Sequence, residues 1–444
     1  MRLKKYSLII LLAAIFVVSA AYSLYFRIHP SVDAKAYDRI AWNMSSGNGY
    51  REMIGIPLEQ DSAILRVGPG YEYFLAAIYF IFGRQYWLVW LIQALLLAGT
   101  AGLAYLLSRE IFGSFWNKTI GLAVAALVGL SPDLITVSGM LMAETLAVFL
   151  IVLTAWLFFR YYNECERRQE SCPWLVAAFS LSLGAAALVR SPVIFLFLPW
   201  TYLLLKGKRY KSWLLSVALV VLVFSPWIAR NYLVFHQFIP TNLVVGADLA
   251  IGNHHGASGE LEPYPRADEY RAAYGMVAAN KMLNREVVDF VMQHPLEFLQ
   301  ITANRISIYF SFARPTGFWP HLSGLSKILT LALSLLYSVI IFIFGFWGIY
   351  FSRNLPVEER KRTNYLLALL VMMPLAIICI IVESRYRFLA YPFFAIFAAY
   401  GLANFWSKRK EWQPLALIAG VLFINFSLDL LKLWSRIVER IGQM

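Results

Sequence analysis

Apolar runs of membrane-spanning length recur along nearly the whole chain, with short basic stretches between them. Crossing the hydrocarbon core of a bilayer takes about 20 mostly apolar residues. Runs of this kind lie at 7–26, 86–108, 119–138, 141–159, 174–189, 191–205, 212–229, 325–350, 364–382, 388–405 and 413–430, about 11 in all. Inside hydrocarbon each backbone N–H and C=O must find its partner within the segment, so the runs read as helices. The pattern predicts an all-α polytopic membrane protein. Of the 444 residues, 60% are hydrophobic and 15% charged, which is too little polar cover for two or three soluble domains. A single transmembrane domain over 1–444 accounts for the composition better. Segment 70–83 is apolar but too short to span comfortably, and it reads as a helix at the interface.

Basic residues in the short connections set the orientation. With the N-terminus in the cytoplasm, Arg109 with Lys118, Arg160 with Arg167 and Arg168, and Lys206 to Lys211 all fall inside. Arg353 to Arg362 and Lys408 to Lys410 follow the same rule. This placement also explains the net charge of +13 without nucleic acid, because no single basic face forms. The first run, preceded by Arg2, Lys4 and Lys5, has the make-up of a signal peptide, with Ala20-Ala21 as a cleavage region. It reads instead as an uncleaved first helix, since the following chain is itself membrane-embedded. Cys165 and Cys172 fall in a cytoplasmic connection and Cys379 in an apolar run, so no disulfide framework or zinc spacing is expected.

Two long connections then face the extracytoplasmic side. The first, 27–69, holds Asp33, Tyr37, Asp38 and the turn-prone Gly47-Asn48-Gly49. The second, 230–324, is the most polar part of the chain and carries Asn253-His254-His255 and a predicted surface helix around 281–311.

Five arginines break the charge rule. Arg66, Arg190, Arg230, Arg385 and Arg387 all fall on the outer side near a membrane boundary, where positive charge works against the topology. A guanidinium fork suits phosphate oxygens. Each could equally snorkel to headgroups or pair with a carboxylate such as Glu383.

Two acids lie at similar depth. Asp33 follows the first run; partial desolvation there would raise its pKa towards the range of a general base, while the plainer role is an N-cap for a helix starting near Ala34. Glu144 follows a predicted outer turn at Ser131-Pro132-Asp133. It is either a first-turn acid favoured by the helix dipole or a functional carboxylate near hydrocarbon. His254 and His255, being adjacent and without partner spacing, are a weak metal signal. Nucleotide-binding, zinc-hydrolase and nucleophile-elbow motifs are absent.

The stretch Asp33-Ala34-Lys35-Ala36-Tyr37 through Gly47-Asn48-Gly49-Tyr50 resembles the first outer loop of polyprenyl-phosphate-dependent glycosyltransferases of the GT-C superfamily. That superfamily includes the protein O-mannosyltransferase-like family and the lipid A aminoarabinose transferases. Arg66-Val67-Gly68-Pro69-Gly70-Tyr71 is similar to their second signature. Pro226-Trp227-Ile228-Ala229-Arg230-Asn231-Tyr232 and Ser384-Arg385-Tyr386-Arg387 are looser matches, and the order holds along nearly the whole chain.

The resemblance implies a GT-C-like bundle of about 11 transmembrane helices, with two extracytoplasmic loops containing interfacial helices. It implies transfer of a sugar from a polyprenyl-phosphate donor to an acceptor hydroxyl on a protein, lipid or glycan, with inversion. Asp33 would be the catalytic acid/base, Glu144 a second catalytic acid and Arg66 a contact to the donor phosphate. Arg190, Arg385 and Arg387 would join that phosphate site; Tyr37, Arg230, Asn253 and His254 would lie in the sugar or acceptor region. Many relatives carry a second acid directly after the first. Here it is Ala34, so a metal held by an adjacent acidic pair is not supported and a divalent metal has only weak support; no soluble cofactor or nucleic acid is required. The setting implied is a bacterial inner membrane. A transporter or flippase, or a polymerase or ligase of lipid-linked saccharides, is the alternative reading.

Overall fold

The computed structural model describes residues 2–66, 68–166, 172–314, 321–405, 407 and 409–442. Val67 of the second signature and Arg167, Arg168 and Lys408 of the basic connections lie outside them. The described residues are almost wholly helical, with one isolated parallel bridge between Glu260 and Val382.

Among the described residues, six helices are long and apolar enough to cross a membrane: Tyr6–Phe26, Tyr86–Phe115, Ala143–Cys165, Tyr210–Phe235, Gly324–Ser352 and Trp412–Trp434. A seventh span forms if Lys118–Gly129 and Pro132–Ser138, bent by 51°, are counted together. The other predicted spans are helical too, but shorter or more polar. Pro173–Val189 has 17 residues, and Tyr391–Asn404 has 14. The run at 191–205 begins as a 3-10 turn, Ser191–Leu196, with Pro192 near its start, before helix Phe197–Lys206. In helix Tyr391–Asn404, Tyr391 to Gly401 are all buried, so protein rather than lipid surrounds it. It runs against Gly324–Ser352 through facing glycines, since a Cβ on Gly348 would fall on the carbonyl of Phe397. The chain is a multi-pass membrane protein.

The first long connection holds helix Asp33–Ser45 and an irregular stretch with short 3-10 turns, and leads into helix Gly70–Phe82. The second holds helices Val245–Gly252, Pro265–Gln293 and Pro295–Phe310. The single helix expected around 281–311 is therefore two, meeting at His294. Pro295 has no N–H to continue the first and is well suited to open the second. Val288, Met292, Leu296 and Leu299 leave an exposed apolar stripe across that junction, as suits a surface lying on lipid.

Two further expectations are corrected. Cys165 and Cys172 form a disulfide: one helix end and the start of the next bring their Cα atoms to 6.0 Å, within bridging range. The turn before Glu144 is not Ser131-Pro132-Asp133. Ser131 instead caps the short helix Pro132–Ser138, and the chain turns at 139–142.

Candidate active site

Local packing fixes where Asp33 sits. Helix Asp33–Ser45 is anchored by Asp38, whose buried carboxylate accepts hydrogen bonds from the phenols of Tyr79 (2.8 Å) and Tyr86 (2.9 Å) and from Arg84 Nε (3.1 Å). Asp61 accepts from the backbone N–H groups of Glu52, Met53 and Ala63 at 2.8–2.9 Å, closing the irregular stretch. Asp33 is the first helical residue and does not cap the helix; that position is Val32, which has a left-handed φ of 48° and no side-chain cap bond. A β-branched residue pays for such a φ in strain, a feature that gathers near functional groups.

Around Asp33 the chain brings together residues far apart in sequence. Arg385 Nη1 lies 3.1 Å from the Asp33 carboxylate, and Arg385 Nε also donates to Glu383. Arg190 forms an ion pair with Glu144 deeper in the protein, where the Glu144 side chain is 2% exposed. The guanidinium carbons of Arg190 and Arg385 lie 5.9 and 5.8 Å from the centre of the Tyr386 ring, so one aromatic side chain joins the two pairs. Tyr37 packs edge-on against Tyr71 at 5.5 Å and feels Asp33, Arg190 and Glu144; burial foremost raises its pKa. Asp33, Tyr37, Glu144, Arg190 and Arg385 thus converge.

Other expected site residues go elsewhere. Arg66 Nη2 pairs with Glu52 at 2.5 Å. Arg387 is fully buried and donates to the backbone carbonyls of Ser311 (3.0 Å) and Arg314 (2.6 Å). Arg230 donates to the carbonyl of Tyr50 and stacks near Trp227, tying the first connection to helix Tyr210–Phe235. Asn253 donates to backbone carbonyls at 249, 379 and 380 and accepts from Arg305 (3.0 Å), while His254 stacks on Tyr264. These contacts anchor the second connection, whose Glu260 to Val382 bridge ends two residues before Ser384.

The structure adds two acids. Glu72, in helix Gly70–Phe82, is fully buried, and burial pushes its pKa up to about 8. The Tyr50 phenol donates to one Glu72 oxygen at 3.3 Å, and the other has no partner. Glu72 is electrostatically coupled to Arg66 and Arg190. Its helix enters so close to Leu188 and Val189 that a Cβ on Gly68 or Gly70 would meet their backbone. Asp248 comes from the second connection; burial first, then Glu383, raises its pKa to about 6. A lone acid inside a 13-residue apolar helix was the legible sign of Glu72.

One Glu144 oxygen is also buried without a hydrogen-bond partner among the described residues. The described residues hold no group of three or more His, Cys, Asp or Glu placed for a metal ion. Asp33 and Glu383 both face Arg385, and Glu144 faces Arg190. Paired arginines around a ring, with acids on either side, suit an anionic group arriving next to a proton acceptor.

The family described as dolichyl-phosphate-mannose-protein mannosyltransferase matches residues 66–229. Among solved structures, the oligosaccharyltransferase of Archaeoglobus fulgidus, in complex with zinc and sulfate, superposes with a TM-score of 0.51 at 15% identity. That match covers 93% of this chain and 52% of that one. The chain shares the fold of that membrane protein. It spans about half the length of the archaeal oligosaccharyltransferase it matches. ArnT from Cupriavidus metallidurans superposes at 0.40 bound to undecaprenyl phosphate and 0.39 in its apo state, each at 13% identity. These cover 91% and 90% of this chain and 79% and 77% of those. No curated protein sequence matches.

Proposed function

We propose that this protein is a GT-C glycosyltransferase that moves a sugar from a polyprenyl-phosphate carrier to an acceptor hydroxyl. The reaction would run at the extracytoplasmic face of a bacterial inner membrane, the orientation the basic connections favour. The observation that carries the proposal is the convergence of Asp33 with Arg385 and of Glu144 with Arg190 on the ring of Tyr386.

The donor phosphate competes with Asp33 and Glu383 for the Arg385 fork, which frees the Asp33 carboxylate. Asp33 takes the proton from the acceptor hydroxyl as its oxygen attacks the anomeric carbon. The bond from that carbon to the phosphate oxygen breaks, and its electron pair stays on the polyprenyl phosphate. Arg385 and Arg190 stabilise the charge gained there. Attack opposite the leaving group inverts the anomeric centre. Glu144 holds Arg190 in place and offers its unpartnered oxygen to a sugar hydroxyl. Asp248 and the second connection cover the site and meet the acceptor.

The test is incubation of the purified protein, in lipid nanodiscs, with a panel of polyprenyl-phosphate sugars and acceptor glycans, lipids and peptides. Release of polyprenyl phosphate that requires an acceptor supports the proposal. Movement of intact donor between leaflets, with no release across the panel, points to the flippase reading and overturns it.

A further inference from the structure

At the opposite end of the bundle lies a cavity of about 990 Å³ that plays no part in the chemistry above. It opens between helix Phe197–Lys206 and helix Val357–Ile378. Its mouth carries Lys206, Lys208, Lys361 and Glu358, and below them stand Tyr162, Tyr202 and Tyr365. The inner wall is apolar: Leu198, Pro199, Leu203, Ala368 and Met372. From Lys361 to Met372 the helix rises about 16 Å, a depth on the scale of an acyl chain rather than of a small soluble ligand.

The charges at the mouth are not balanced. Glu358 pairs with Lys361 at 2.9 Å, whereas neither Lys206 nor Lys208 forms an ion pair among the described residues. The Lys206 ammonium stands 5.3 Å from the centre of the Tyr202 ring, held over the opening. Two uncompensated ammonium groups above an apolar shaft with an aromatic collar match the profile of a lipid with a negative headgroup. The polyprenyl donor does not fit, because the segment from Arg190 to Lys206 spans about 27 Å and separates this mouth from the Asp33 site.

We propose that this cavity is a binding site for an anionic glycerophospholipid, its phosphate between Lys206 and Lys208 and an acyl chain along Ala368 and Met372. The site is structural or regulatory, and it is independent of the sugar-transfer proposal.

The test is native mass spectrometry of the full-length protein released from detergent, titrated with phosphatidylglycerol, phosphatidylcholine, undecaprenyl phosphate or inorganic phosphate. The expected result is retention of one phosphatidylglycerol in preference to phosphatidylcholine, with no displacement by inorganic phosphate at equal concentration. In the double variant Lys206→Gln, Lys208→Gln that preference falls by on the order of 30-fold, since each lysine near a lipid surface contributes about one fivefold factor. Ala368→Trp, which fills the shaft, reduces binding of both phospholipids and covers the case in which the lysine variant does not fold. Three results would each overturn the proposal: equal retention of the two phospholipids by the wild type, unchanged preference in the double variant, or displacement of phosphatidylglycerol by undecaprenyl phosphate that the Lys206 and Lys208 changes abolish.

Discussion

Glu72 titrates inside the folded protein where its unfolded counterpart does not, and this gives a stability effect with a definite sign. Burial raises its pKa from the ordinary 4.5 to about 8. Between those values the folded state holds a proton that the unfolded state releases, so stability must fall as pH rises. The slope is at most about 1.4 kcal/mol per pH unit, and the whole window carries a ceiling of about 5 kcal/mol. Glu72→Gln keeps an oxygen to accept from Tyr50 and removes the titration. In nanodiscs, the thermal midpoint of the variant should draw ahead of the wild type as pH rises from 5 to 8, then hold a constant lead above that. Below about pH 4.5 the two should run in parallel. A difference that stays flat from pH 5 to 9, or that narrows with rising pH, would show that Glu72 is not held protonated by burial.

Other residues separate chemistry from structure. Arg385→Lys keeps the charge but loses the fork that reaches both Asp33 and Glu383, and should lower kcat/KM for donor by about 10²-fold with the fold intact. Near-normal kinetics would remove Arg385 from the site. Glu144→Ala leaves Arg190 buried without its counter-charge and should cost about 3–5 kcal/mol in denaturation experiments, most of it recovered by adding Arg190→Met. Failure of the second change to recover stability would mean that the pair is not the cause. Arg387→Ala should lower stability without raising the KM for donor in the folded fraction, since Arg387 is spent on the carbonyls of Ser311 and Arg314. A specific rise in KM would return Arg387 to the phosphate site.

The membrane architecture was legible because hydrocarbon imposes one rule on every segment, and the apolar runs obey it. Span lengths were less legible. Tyr391–Asn404 is enclosed by protein, so nothing holds it to the thickness of the bilayer. Within the site, Asp33, Glu144, Arg190 and Arg385 could be picked out because each breaks the local pattern of charge or polarity. Arg66 and Arg387 break the same pattern, yet their charge is taken up by Glu52 and by backbone carbonyls, partners that sequence order does not reveal. Glu72 is fully buried in an apolar helix whose length suggests only an interfacial position, so its burial is not visible from that length. The Cys165–Cys172 bridge was missed because the topology placed both in a reducing compartment, whereas proximity is set by how two helix ends meet.

The central claim is that Asp33 accepts the proton from the acceptor. The direct test is Asp33→Asn in the purified protein, measuring acceptor-dependent release of polyprenyl phosphate alongside membrane insertion and thermal midpoint. Asn keeps the size of the side chain and removes its basicity, so the account predicts normal insertion, a midpoint close to wild type and a loss of at least about 10²-fold in rate. A variant that inserts normally and retains more than about a tenth of the wild-type rate would contradict it.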